Sequence, residues 1–135
     1  MSTSEEITRL VQERAGRRCE YCRMHQALQG ATFHVEHVLP RSRGGATVVE
    51  NLAWACPSYN LHKSDRTEAR DPDSGALVPL FNPRTQPWTA HFAFVNDQIV
   101  GRTATGRATV QLLDLNHPRR VLVRQAAALF GLFPR

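Results

Sequence analysis

Cys19 and Cys22, in the stretch CEYC, constrain this chain more than any other pair of its residues. A C-x-x-C pair on a tight knuckle suggests metal binding or thiol redox chemistry. A third cysteine, Cys56, makes the count odd. The N-terminal stretch MSTSEEITRL is polar and acidic, without the apolar segment of an export signal. Together these argue against a disulfide framework and lead us to expect a cytoplasmic protein. No apolar run approaches the length that spans a bilayer. A redox role predicts a thioredoxin-like βαβ unit around Cys19. After Cys22 the chain reads instead as a loop and then a strand rich in polar groups.

That strand opens the stretch HVEHVLPRSRGG, residues 34–45. Val35, Val38 and Leu39 predict a strand over 33–39, and Gly44-Gly45 a turn in the loop 41–47. Upstream, residues 4–15 predict a helix. Ser4 can cap it, Glu5 and Glu6 suit its first turn, Ile7, Leu10 and Val11 form its apolar stripe, and Gly16 can end it. Downstream, NLAWAC is apolar, and a helix is expected from about Asn60. DPDSG (71–75) is a turn cluster and PLFNPRTQP an extended loop. HFAFV and QIVGRT flank Asn96-Asp97 as a hairpin, and residues 105–115 and 118–133 read as two helices. With 135 residues, 41% of them hydrophobic, one domain with one modest core is expected.

The net charge is +5 and the basic residues are almost all arginine, Lys63 being the one lysine. Positive charge favours a polyanionic partner, and arginine grips phosphate with a planar pair of donors. A general preference for arginine explains the count equally well. The polar residues after the strand give more. Glu36-His37, Asn51, Asn60 and Lys63 come in that order. Each has an ordinary structural explanation: a strand-end histidine, or a helix cap. Together they suit phosphodiester hydrolysis, which needs an activated water and a cation on the scissile phosphate. Histidine titrates near neutrality, and a carboxylate with an amide oxygen can hold Mg²⁺ while leaving positions for water and phosphate.

The order CEYC … VEHVLPRSRGG … ENLAWAC … NLHK resembles the HNH endonucleases, the ββα-metal or His-Me finger nucleases. The likeness is strongest over residues 19–66, and the C-terminal stretches resemble a bacterial subfamily. The resemblance implies an α+β fold. Its ββα-metal core over 19–66 is flanked by N- and C-terminal helices and a second β-hairpin, with 67–135 packed on it as part of a single domain, 1–135. It implies a DNA endonuclease dependent on Mg²⁺ or Mn²⁺. In it His37 is the general base, Glu36 and Asn60 bind the catalytic ion, and Asn51 orients His37 or steadies the loop. Lys63, Arg41, Arg43 and Arg66 contact DNA.

Two departures stand out. Glu36 replaces the commoner aspartate, a variant that still suits Mg²⁺. Many members also carry a fourth cysteine around a structural zinc; here Cys19, Cys22 and Cys56 remain and Tyr59 stands in the fourth place. A neutral phenol is a weak ligand, so we expect the three cysteines to converge on a weakened or empty Zn²⁺ site beside Tyr59. The lost ligand leaves a second functional reading, a zinc-knuckle nucleic-acid binder without catalysis. His34 is either a partner of the metal site or a polar residue on the open strand face. His25, His62, His91 and His117 carry no pattern beyond core or surface roles.

Overall fold

The first helix, α1 (Ser4–Arg14), carries Glu5 and Glu6 in its first turn and Arg14 in its last, in the sense its dipole favours. It buries Val11 and ends where Gly16 takes a left-handed conformation, φ 65°. The structure is a computed structural model that describes residues 4–28, 33–57 and 63–131. The guanidinium of Arg14 donates to the carbonyls of Val49 and Leu52, fixing α1 to the segment that comes after the basic loop.

The strands form three antiparallel pairs. β1 (His34–His37) pairs with β2 (Leu52–Ala55) in the register His34 to Ala55 and His37 to Leu52. The cysteine knuckle lies along the free edge of β2. The Glu20 amide donates to the Trp54 carbonyl, and the Trp54 amide donates back to the Glu20 carboxylate at 2.8 Å. All four β2 residues are buried as a result. The chain after Cys22 therefore enters an antiparallel hairpin, not the βαβ unit that a thioredoxin-like reading required.

β3 (Glu68–Arg70) and β4 (Leu77–Pro79) form a pair around the 71–75 turn. β5 (Phe92–Val95) and β6 (Gln98–Gly101) form another around Asn96-Asp97, with Asn96 at φ 57°. A short helix, α2 (Trp88–His91), precedes β5. Thr103 caps α3 (Ala104–Leu112), its hydroxyl accepting from the Gly106 amide. Pro118 opens α4 (Pro118–Leu129) in the first turn, where its missing N–H costs nothing.

The α+β architecture matches the expectation, with corrections. Beside the expected second hairpin, β5–β6, there is a third, β3–β4, whose strands are too short for alternation to reveal. β1 is shorter than 33–39. α3 stops at Leu112, with Asp114 left-handed, and α4 stops at Leu129, with Gly131 left-handed. Pro57 and Lys63 have helical backbone; Asn60, and with it the start of the expected helix, lies outside the described residues.

One apolar cluster joins both parts of the chain. Cys19, Tyr21, Cys22, Leu52, Trp54 and Cys56 pack with Phe81, Trp88, Phe92, Ile99, Leu113, Leu115 and Ala127. Polar contacts cross the same boundary. The Trp88 indole donates to the Tyr21 carbonyl at 2.8 Å, Arg23 lies over the Trp88 ring, and Arg84 pairs with Glu20.

Candidate active site and metal centre

β1 places neighbouring residues on opposite faces, and Glu36 and His37 meet different surroundings. Glu36 is buried. One carboxylate oxygen accepts from the Tyr21 hydroxyl at 3.0 Å, and the other pairs with Lys63 Nζ at 3.0 Å. Lys63 is 3% exposed and also donates to the carbonyls of Val38 (3.1 Å) and His37 (3.5 Å). Its three donors face protein acceptors, so the residue expected at a phosphate sits inside, on the carboxylate.

His37 is half-buried, with Nε2 2.8 Å from the Thr47 hydroxyl. Burial first, and then the positive charges of Arg41 and Lys63, hold its pKa below the ordinary imidazole value. The ring is thus biased towards the neutral form, with Nδ1 left as the second nitrogen for chemistry.

Asn51 ties the loop that leaves β1. Its Oδ1 accepts from the Leu39 amide at 2.9 Å, and its Nδ2 donates to the carbonyls of Leu39 (3.0 Å) and Ala46 (2.9 Å). It contacts the loop rather than the His37 ring, whose hydrogen-bonded neighbour is Thr47. Within the loop, Gly44 is left-handed at φ 89°, and Gly45 lies so close to Leu39 that an added Cβ would sit 1.7 Å from its carbonyl oxygen. Arg41, Arg43 and Arg66 are exposed, and Arg43 Nε donates to the Asp65 carbonyl, linking the loop to the chain after Lys63.

The second centre is the cysteine cluster. Cys19, Cys22 and Cys56 are all buried and unoxidised, and their sulfurs lie within 4.8 Å of one another. That spacing and donor set can hold one metal ion, and it is the only such group of three found among the described residues. Burial pushes the Cys19 thiol well above its ordinary value, so that thiol resists ionising without a cation. Arg120 Nη2 approaches Cys56 Sγ at 4.0 Å. Tyr59 lies outside the described residues, as does His62. His34 has a buried Nε2 without a hydrogen-bond partner among the described residues.

Sequence reasoning missed Tyr21 and Thr47, which touch Glu36 and His37, and Glu20, which stitches the knuckle to β2. Tyr21 and Glu20 lie inside the C-x-x-C pair, the one local signal that could have drawn attention to them.

Residues 19–66 match the family model HNH endonuclease, and both centres fall in that matched segment. The chain is also similar to Septu protein PtuB of Bacillus thuringiensis, 26% identical over 112 residues. The match takes in 82% of this chain and 41% of that protein, so the chain spans about two fifths of its relative's length. No solved structure matches it. Among the described residues, no helix is long and apolar enough to cross a membrane.

Proposed function

We propose that the chain is a divalent-metal-dependent endonuclease that hydrolyses phosphodiester bonds in DNA, acting in the cytoplasm as a single domain over 1–135. The observation that carries the reading is His37. It is a half-buried imidazole held at Nε2 by Thr47, biased neutral by burial and nearby cations, and set at the end of β1 in the segment that matches the nuclease family. A neutral imidazole suits a general base, and Nδ1 takes the proton from the attacking water. Asn51 steadies the loop that carries Thr47. Arg41, Arg43 and Arg66 meet the DNA backbone.

Glu36 and Asn60 would hold the catalytic ion, Mg²⁺ or Mn²⁺. The donor chemistry fits, because the Glu36 carboxylate already lies against a cation, Lys63. When bound, such an ion stabilises charge on the scissile phosphate. Lys63 then serves as the resting partner of Glu36 rather than as a phosphate contact. Cys19, Cys22 and Cys56 would hold a structural zinc. Their convergence, expected whether the site is filled or weakened, supplies the donor set for that ion.

The same Lys63–Glu36 pair favours a second reading, a nucleic-acid-binding module whose carboxylate is permanently occupied. One experiment separates the two. Purified protein is incubated with supercoiled plasmid and Mg²⁺ or Mn²⁺, beside His37→Ala and an EDTA control. We expect nicked or linear product from the wild type alone, with His37→Ala slower by about 10²–10⁴-fold. Retarded but uncut DNA in every lane would establish the binding module.

A further inference from the structure

Two arginines on α4 are buried and form no ion pair with an acid among the described residues. Arg120 is 7% exposed and Arg124 is fully buried. Four residues apart, they lie on one face of the helix. Arg124 donates to the carbonyls of Asp97 and Leu115 and to the Asn116 side-chain oxygen, all neutral acceptors. Arg120 donates to the Leu113 carbonyl at 3.2 Å and reaches the Cys56 sulfur. The ion pairs among the described residues involve Lys63, Arg84 and Arg107, and none uses either arginine of α4.

A buried guanidinium is costly unless an anion faces it. Among the described residues, Arg120 donates to the Leu113 carbonyl and the Cys56 sulfur, and of these two acceptors the sulfur alone can carry negative charge. Three thiols bring none. Three thiolates around a divalent ion, with a neutral fourth ligand, bring a single net negative charge against the guanidinium. Cys56 and α4 are far apart in sequence, and this contact joins them.

We propose that Arg120 is a positioning residue of the metal–thiolate centre: its guanidinium donates to the metal-bound Cys56 sulfur, balances the charge of the centre, and makes the docking of α4 depend on metal. The inference rests on the zinc reading given above. It assigns α4, outside the segment that matches the family model, a direct part in holding the ion.

The test uses the full chain loaded with Zn²⁺ or with Co²⁺, whose thiolate charge-transfer band reports the sulfur environment. In Arg120→Met, metal should pass to a chromophoric chelator roughly 10–100-fold faster than in the wild type, the usual effect of removing a group that orients a ligand. The cobalt band should also shift. Arg120→Lys, which keeps the charge without the planar fork, should recover part of both. Arg119→Met, at an exposed neighbour on the same helix, should release metal at the wild-type rate. In the wild type, stripping the metal should speed amide exchange across Pro118–Leu129. If Arg120→Met does not fold, Arg120→Lys against Arg119→Met carries the comparison. A wild type that takes up neither metal overturns the zinc reading and this inference with it. A wild type that holds metal, with Arg120 variants matching its release rate and band, overturns this inference alone.

Discussion

Lys63 occupies one oxygen of Glu36 with an ammonium, and any divalent ion that uses the carboxylate must displace it or share it. Both groups are almost fully buried, so removing one partner leaves the other uncompensated. Lys63→Met should lose roughly 3–5 kcal/mol of stability in the absence of metal, the usual cost of breaking a buried pair from one side. Mn²⁺ should then restore part of the lost melting temperature, because it replaces the missing cation on Glu36. A melting temperature of Lys63→Met that ignores Mn²⁺ would show that the ion binds elsewhere. His37 supplies a second residue-scale prediction. Its pKa is lowered, so the neutral base is present above that value and is lost as pH falls through it. Cleavage should therefore fall off on the acid side with an inflection below the ordinary imidazole value of about 6.5. Arg41→Ala removes one of the charges that disfavour protonation, and the inflection should move to higher pH. An inflection that stays put would mean that Arg41 does not act on the titrating group. Glu36, His37 and Asn51 were legible because they sit next to signals that sequence displays, a strand end and a glycine turn. Tyr21 and Thr47 were not, because a side-chain partner fifteen or ten residues away depends on the path of the chain between. The arginine surplus was ambiguous for a related reason. Arg14, Arg84, Arg107 and Arg124 spend their donors on carbonyls and carboxylates within the fold, a use that composition cannot separate from phosphate binding.

At the scale of elements, the loop from Leu39 to Thr47 decides whether His37 keeps its partner. Asn51 ties its two ends, and Gly45 lets the chain pass the Leu39 carbonyl at a distance no side chain tolerates. In Gly45→Ala the new methyl would lie 1.7 Å from that oxygen and 2.9 Å from Asn51 Nδ2. The first is backbone and cannot swing away, so the loop must open and the Asn51 bonds must lengthen. Thr47, two residues on, then leaves the His37 ring. We expect Gly45→Ala to cut DNA far more slowly than the wild type, with the loss concentrated in kcat and the acid inflection displaced. A variant with wild-type rate and pH profile would show that the loop does not position the base. The glycine pair announced this turn in the sequence, as Asn96-Asp97 announced the β5–β6 hairpin. For the β3–β4 pair, the turn was legible in DPDSG (71–75), but the strands on either side of it were not. Its strands have three residues each, and the contact that holds them lies elsewhere: Asp71, between them, accepts both Arg107 donors at 2.9 Å from α3. A strand fixed by a distant ion pair leaves no local period to read.

The whole molecule is held by a core that ignores the boundary of the matched segment. Within residues 19–66, the knuckle presents Tyr21, Cys22 and Met24, all buried, and part of their cover comes from later in the chain. Phe81 stacks edge-on against Tyr21, Trp88 binds the Tyr21 carbonyl, Arg84 pairs with Glu20, and Arg120 reaches Cys56. A stretch of about fifty residues buries too little surface to fold readily unless something else staples it. Zinc is one staple, and structural zinc can fold a small module outright. The two contributions can be separated by cutting the chain between Arg66 and Thr67. If metal alone organised the matched segment, residues 1–66 would melt cooperatively once Zn²⁺ was added. The contacts above predict otherwise. Removing residues 67–135 exposes Tyr21 and the cysteine sulfurs, and deletes the two large aromatic rings of Trp88 and Phe92, each of which buries about 150–250 Å² in a core. It also leaves Glu20 without Arg84. The fragment should therefore give no cooperative melt by circular dichroism and few dispersed amide signals, with or without Zn²⁺. Co-expression with residues 67–135 should restore both, because the interface between the pieces is the core itself. A fragment 1–66 that folds on zinc alone would show that the matched segment is independent and that the C-terminal part is an addition to it.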